Sequence, residues 1–488
     1  MKQIGQWGLD TAQKRGATHA EVRVVDERNR ALATKNGKIG SASESESMGV
    51  GIRVIADGAW GFAATEDMTR EGIDRCAAYA VDVARASARV KIKPVELAPE
   101  PPHKADWTSG YKIDPFTTSI HENLELLLKI DETLRSVPGV TLAETNLNFR
   151  RYEQWFYSSE GSDIHQTRIT TGAGFTAFSF EGTEIHKRSF PNSFGGQWQN
   201  KGYELIDELK LLENAKRIGE EAVALHKADQ CPEKRGTIIL ESSQLGLQIH
   251  ESIGHPIELD RVLGMEANFA GTSFLTLEKL RNLRYGSEIV NVVADATAQH
   301  GPGLGTFAYD DEGVAAQCTP IITNGEFRGY LSSRDTAALV GMDRGGGTMR
   351  AESWNRLPIV RMTNVSILPG EKPLSLAQLI ADTDDGIFMQ TNRSWSIDDK
   401  RYNFQFGCEI GWEIKGGKLG RMLKNPSYSG ITTEFWNSMD AICDRSEWTL
   451  WGTPNCGKGQ PQQVMGTGHG ASPARFRNVK IGSAYKGT

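Results

Sequence analysis

The segment Leu245-Gly-Leu-Gln-Ile-His-Glu-Ser-Ile-Gly-His255 constrains this 488-residue chain more than any other. It follows Gly236-Thr-Ile-Ile-Leu-Glu241, an apolar run of the length expected for a buried strand. It then supplies two imidazoles, His250 and His255, with a carboxylate, Glu251, next to the first. Two neutral nitrogen ligands beside a base able to take a proton from water are the ingredients of zinc hydrolysis. The spacing, however, is five residues, whereas the common helical zinc motif uses four. On a regular helix that separation turns the side chains roughly 140° apart. They converge only if the helix widens locally, as in a π-bulge, or stops between them. Gly254 tolerates unusual dihedrals, and Pro256 disfavours the α region for His255. The sequence therefore predicts a helix over Leu245–Ile253 with His255 on the residue that turns out of it. Spacing alone leaves a metal site and two ordinary hydrogen-bonded histidines evenly balanced.

The length points to two or three domains. A 39% apolar, 24% charged composition is that of a globular protein, and the small formal charge of −6 gives no reason to expect a nucleic-acid partner. The N-terminus lacks an apolar core of signal-peptide length, and no later run approaches a membrane span. Cys76, Cys231, Cys318, Cys408, Cys443 and Cys456 form no CxxC pair, a pattern of thiols kept reduced. A cytoplasmic location is the expectation.

Along the chain, a first helix closed by Gly16 precedes strands at Ala20–Val25, Gly49–Ile55 and Trp60–Ala64, the last two joined through Asp57-Gly58. Thr65–Thr69 offers caps for a helix running to about Val81–Ala84. Four prolines in Pro94–Pro102 mark a linker or strap. A helix over Leu124–Leu134 follows, then strands at Val140–Leu147, Tyr152–Tyr157 and Arg168–Ser179, and a long helix over Tyr203–Leu225. Later glycine turns suggest hairpins through Asn324-Gly325 and Lys415-Gly-Gly417, and Leu374–Ala381 reads as a lone helix. The expected class is α+β: an N-terminal helix and antiparallel-sheet region, then a mostly antiparallel, barrel-like C-terminal sheet domain carrying the metal-site helix. The expected division is 1–230, itself divisible into 1–92 and 104–230 about the proline-rich segment, and 231–488.

Beyond His250-Glu-x-x-x-His255, the chain contains Tyr309-Asp-Asp-Glu-Gly313, Asn324-Gly325 with Gly329-Tyr-Leu331, Arg361-Met-Thr-Asn364 with Leu368-Pro-Gly370, and Cys456-Gly-Lys458 with Gly459-Gln460. In that order and spacing, over most of 236–485, they resemble the TldD/PmbA metallopeptidases, sometimes labelled modulators of DNA gyrase. Ala20-Glu-Val22, Gly49-Val-Gly51 and Asp57-Gly58 are similar to that family's first domain. The resemblance implies an intracellular Zn2+-dependent peptidase, acting on short or unfolded peptides in a chamber enclosed by a homodimer or by a heterodimer with a related subunit. It implies His250, His255 and Cys456 as metal ligands and Glu251 as general base. Mixed imidazole and thiolate suit zinc, and three protein ligands leave one position open. Asn455–Gln460 has the composition of a tight turn, suited to aiming one side chain, while Cys408 and Cys443 are expected to be inert buried thiols. Asp260 and Glu258 are candidates to orient a ligating imidazole, or ordinary surface acids. Tyr309 is a candidate chamber-lining residue or part of a structural turn. His469, where a small or polar residue is expected, could partner a ligand, compete as a ligand or lie at the surface, the last being the default. Asn392–Asp398 replaces a more glycine-rich stretch. A non-catalytic partner or substrate-binding subunit with a closed, structural metal site is the alternative function, and a zinc hydrolase of non-peptide amides is a third.

Overall fold

A computed structural model of the chain describes residues 1–482, so residues 483–488 of the expected second region lie outside the described residues. The chain opens with α1 (Lys2–Lys14), whose Leu9 and Ala12 bury against β1 (His19–Lys35). β2 (Lys38–Ala56) and β3 (Ala59–Thr65) follow across the two-residue turns Asn36-Gly37 and Asp57-Gly58. Both residues of each turn take positive φ, 48° and 75° in the first and 51° and 72° in the second. Such turns match the twist of tightly paired strands. α2 (Arg70–Ala88) starts as its capping residues predict, with the Thr69 hydroxyl accepting from Gly72 N–H.

After β4 (Lys104–Thr108) come α3 (Ile120–Arg135), β5 (Leu142–Ser158), β6 (Asp163–Glu181), β7 (Glu184–Phe190), β8 (Gln197–Gln199), α4 (Glu204–Leu209) and α5 (Leu211–Ala224). One sheet in the order β3-β2-β1-β5-β6-β4 joins strands from both sides of the proline-rich segment. That segment carries no helix or strand; Ala98 N–H donates to Arg334 O at 2.9 Å, strapping it to the second half of the chain. Two expectations are corrected. Val140–Leu147 and Tyr152–Tyr157 belong to a single strand, β5, because its polar centre pairs residue for residue with β1 from Glu21↔Ser158 to Lys35↔Glu144. The helix expected over Tyr203–Leu225 is broken at Lys210, which adopts the left-handed conformation at φ 49° between α4 and α5.

The second half runs β9 (Asp229–Gln230), β10 (Lys234–Leu240), α6 (Ser242–Ile249), β11 (Val292–Asp295), β12 (Cys318–Thr323) and β13 (Glu326–Phe327). It continues with β14 (Met349–Arg350), β15 (Ile359–Val360), β16 (Asn364–Ile367), β17 (Asp385–Ile397), β18 (Asn403–Lys415) and β19 (Lys418–Lys424). β20 (Ser427–Ile431), β21 (Met439–Ile442), β22 (Thr449–Lys458), β23 (Gln463–Ala471) and β24 (Ala474–Ile481) complete it. Both expected hairpins form, β12–β13 through Asn324-Gly325 and β18–β19 through Gly416-Gly417. Strands β17-β10-β24-β20-β18 close into a barrel, since β18 also pairs with β17. All its pairings are antiparallel except β10–β17. A second sheet has the order β13-β12-β11-β16-β23-β22.

α6 lies between these layers, against β17 on one side and β16, β22 and β23 on the other, and every one of its residues is buried. Its two glutamines are bridged by one phenol: Gln244 Nε2 donates to Tyr428 Oη at 3.0 Å, which donates to Gln248 Oε1 at 3.1 Å. Among the described residues, no helix is long and apolar enough to cross a membrane.

Candidate metal centre

The chain does not leave the helix after Ile253. α6 passes directly into a π turn over His250–Gly254, in which His255 N–H donates to His250 O at 3.1 Å. His255 itself remains in the α region at φ −67°, ψ −42°, despite the following Pro256. Of the two routes open to a five-residue spacing, local widening is the one taken. The extra residue in the turn swings His250 and His255 back toward each other, their ring centroids 4.9 Å apart. Packing holds the turn: Tyr285 Oη donates to Ser252 O, and Trp436 Nε1 donates to Ser252 Oγ at 2.9 Å.

Gly254 serves a different purpose from the one its dihedral freedom suggested. It is absent from the glycines with positive φ, and a Cβ placed on it would stand 2.1 Å from Sδ of the fully buried Met362. Close approach is what requires glycine here. Gly254→Ala should therefore destabilise the protein by about 1–3 kcal/mol, the usual range for overpacking a filled core. Denaturant unfolding reads this directly, and an unchanged midpoint would mean that Met362 yields at no cost.

Cys456 comes from β22, on the second sheet. It is not part of a tight turn, because the backbone stays paired with β23 through Cys456↔Met465, Gly457↔Val464 and Lys458↔Gln463. The turn begins only at Gly459. Register shifts between Thr453 and Cys456, an irregularity of the kind that re-aims a side chain. Ligand atoms of His250, His255 and Cys456 all lie within 4.8 Å of one another, and all three residues are buried. Cys456 Sγ is 3.7 Å from His255 Nε2.

The surrounding hydrogen bonds assign the protons. His469 Nδ1 lies 2.9 Å from Val365 O, a pure acceptor, so Nδ1 carries the hydrogen and Nε2 is bare. That bare Nε2, which also meets Thr467 Oγ1 at 3.1 Å, is 2.7 Å from His250 Nδ1. His250 must then be protonated on Nδ1, with its Nε2 lone pair free. His255 Nδ1 likewise donates to Glu258 Oε2 at 3.0 Å, freeing its own Nε2. Burial holds both imidazoles below their ordinary pKa, His255 well below, and so keeps them neutral. Burial pushes the Cys456 thiol upward, but the Arg361 guanidinium and His255 outweigh it and bring it below its usual value. By contrast, burial holds the Cys443 thiol up at about 12 and Cys408 well above its ordinary value. Two neutral nitrogens and a thiolate-prone sulfur match zinc as a donor set.

The other candidates are placed as follows. Glu251 is buried, and its Oε2 accepts from Arg401. Arg401 sits at φ 64° in the β17–β18 connection, where Asp398 accepts from Tyr402 N at 2.7 Å and Asn403 N at 3.1 Å. Asp260 is buried and engages Lys458 Nζ at 2.7 and 2.8 Å, whereas Glu258 is the acid that touches an imidazole. Tyr309 is half-buried; its carbonyl accepts from Gln166 Nε2 at 2.9 Å and its ring packs 4.9 Å from His103. His469 is buried, not at the surface, because its ring bridges His250 and the β16 backbone. Its loss should cost about 10–100-fold in metal affinity, the usual effect of removing a residue that orients a ligand. Competition of His469→Phe protein against a zinc-sensitive dye measures this, and an affinity equal to wild type would detach His469 from the site. Arg401 and Arg361 went unrecognised as site residues. Arg361 lies in the Arg361–Asn364 block, but nothing local in the sequence distinguishes Arg401 from other arginines.

Residues 233–483 match the PmbA/TldA metallopeptidase C-terminal domain, 113–228 its central domain and 20–84 its first domain. The chain belongs to the PmbA/TldD metallopeptidase family. A metalloprotease of Methanothermobacter thermautotrophicus is 30% identical over 467 residues, 95% of each chain. A Saccharolobus solfataricus protein named a zinc metalloprotease TldD homolog is 26% identical, over 89% of this chain and 90% of its own. TldE from Thermococcus kodakarensis shares the fold with a TM-score of 0.71 at 16% identity, over 99% of this chain and 100% of that one. In this PmbA/TldD chain the blocks that carried the resemblance are also structural. Asn364 Nδ2 donates to Asp295 O and Thr306 Oγ1, each at 2.8 Å, while its Oδ1 accepts from Gly305 N–H at 2.9 Å. Asp310 Oδ1 accepts from the N–H groups of Glu312 and Val314, both at 2.9 Å.

Proposed function

We propose that the chain is a zinc-dependent peptidase, with His250, His255 and Cys456 as ligands and Glu251 as general base. The observation that carries this reading is a donor set of three, with both imidazole Nε2 lone pairs directed by fixed tautomers. Zinc held there would supply a Lewis acid that polarises a carbonyl and makes water more acidic. Glu251 takes the proton from the attacking water and returns it to the leaving amine. Arg401 orients that carboxylate and lends a positive charge to the same pocket. Glu258 and His469 hold the two ligating rings in their reactive tautomers.

The structural-site alternative requires a fourth donor in place of water. His469 is a poor candidate, since both its ring nitrogens are engaged, one with Val365 O and one with His250. An extended peptide can add to an open strand edge, gaining backbone hydrogen bonds with little sequence preference. Dimerisation, with an identical or a related subunit enclosing a chamber, and a cytoplasmic location complete the reading.

The deciding experiment incubates the purified protein with a mixed pool of unfolded peptides, with and without chelator, and follows cleavage by mass spectrometry. Chelator-sensitive hydrolysis at peptide bonds is expected. Absence of cleavage, or cleavage indifferent to the chelator, removes the proposal.

A further inference from the structure

A second group of metal-ligating side chains lies at the end of the β6–β7 hairpin, outside the site described above. Antiparallel register places Ser179 opposite His186 and Glu181 opposite Glu184. Because side chains alternate along a strand, these four residues share one face. His226, from the short turn Leu225–Lys227 after α5, packs on that face with its ring 4.7 Å from the His186 ring. Ligand atoms of Glu184, His186 and His226 lie within 4.8 Å of one another.

Two features of this cluster point to a bound cation. Two carboxylates directly opposed across an antiparallel pair repel each other. Lys424 relieves only one of them, contacting Glu184 at 3.0 and 3.1 Å. The second feature is a proton assignment. Ser179 Oγ donates to Gly139 O at 2.7 Å, so its hydrogen is spent there. It must then accept from His226 Nε2 at 3.0 Å, which puts the ring hydrogen on Nε2. In the neutral ring, Nδ1 is consequently a bare lone pair. It faces Glu181 Oε2 at 3.7 Å and Glu184 Oε2 at 3.9 Å. A lone pair aimed at two carboxylates leaves a space suited to a cation. His186 Nε2, 3.2 Å from Glu184 Oε2, borders the same space. The imidazoles are nearly buried, with side-chain exposures of 4% and 6%, while the carboxylates at 75% and 52% remain open to solvent for entry. Arg393, which donates to Ile185 O at 3.4 Å, is a further positive group near the cluster.

We propose that His186, His226, Glu184 and Glu181 form a second binding site for a divalent cation of the zinc class. Two imidazoles and two carboxylates are a donor set that zinc and its neighbours accept, whereas calcium and magnesium prefer oxygen alone. With all four groups bound, a tetrahedral ion keeps no position for water, so its role is to fasten the β6–β7 hairpin to the end of α5. It is independent of the hydrolytic reading.

The test counts zinc per chain after chelator treatment, reloading and gel filtration, with the affinity of each equivalent measured by titration. Wild type should take two equivalents. His226→Ala should lose one, and Cys456→Ala should lose the other. Should His226→Ala fail to fold, Glu181→Gln, at an exposed hairpin end, should weaken one equivalent by at least ~10-fold. If instead wild type bound one equivalent that His226→Ala abolished and Cys456→Ala spared, the hairpin site would stand and the hydrolytic site would fall. Zinc content and affinity unchanged in both His226→Ala and Glu181→Gln would overturn the proposal.

Discussion

Glu251→Gln is expected to retain zinc while losing peptide turnover by roughly 10²–10⁴-fold, the contribution typical of a positioned general base. The substitution leaves the shape of the side chain and removes its basicity. None of the three proposed ligands is altered, so metal content should match wild type. The ion pair with Arg401 is lost, leaving a guanidinium whose side chain is only 14% exposed without its counter-charge. Some destabilisation follows from that, and turnover must be compared at a temperature where both proteins are folded. Normal zinc content together with unchanged turnover would show that the proton is moved by some other group.

Cys456→Ala should strip zinc from the protein more severely than the ~10–100-fold expected for a residue that merely orients a ligand. Cys443→Ala is the matched control. Both thiols are buried, but Cys443 lies in the small cluster around Leu379 and Phe388, where burial holds its thiol up at about 12. Cys456 has Arg361 and His255 to favour its thiolate, and thiolate is the form that binds metal. Zinc measured in the two purified variants should differ clearly. Equal content would take Cys456 out of the site.

Much of this candidate site could be named from the chain alone, because the His-Glu-x-x-x-His pattern is dense in sequence. His250, Glu251 and His255 are close neighbours, and the apolar run before them, Gly236–Glu241, marked the buried strand β10. The form of the helix end was a different matter. Gly254 and Pro256 suggested a stop, yet the turn widens and continues, held by Tyr285 and Trp436 from elsewhere in the chain. Cys456 was marked by resemblance, but its strand setting depends on pairing with β23, which its glycine-rich surroundings conceal. The long polar stretches of β1 and β2 were invisible for a similar reason. Pairing in register with neighbours defines them, and they lack the apolar alternation that marks a strand half-buried against a core.

The sequence by itself determined the α+β class and the hairpin turns and set His250, Glu251 and His255 side by side, since these follow from residue types at short separations. Only the tertiary structure decided which groups orient the two imidazoles. His469 touches the His250 ring and Glu258 the His255 ring, and Asp260 is neutralised by Lys458. It also decided that Arg401, 150 residues after Glu251, holds the carboxylate. The physical reason is one of range. Local dihedral preferences and spacing act over a few residues, whereas tautomers and ion pairs depend on which distant strands the core brings into contact.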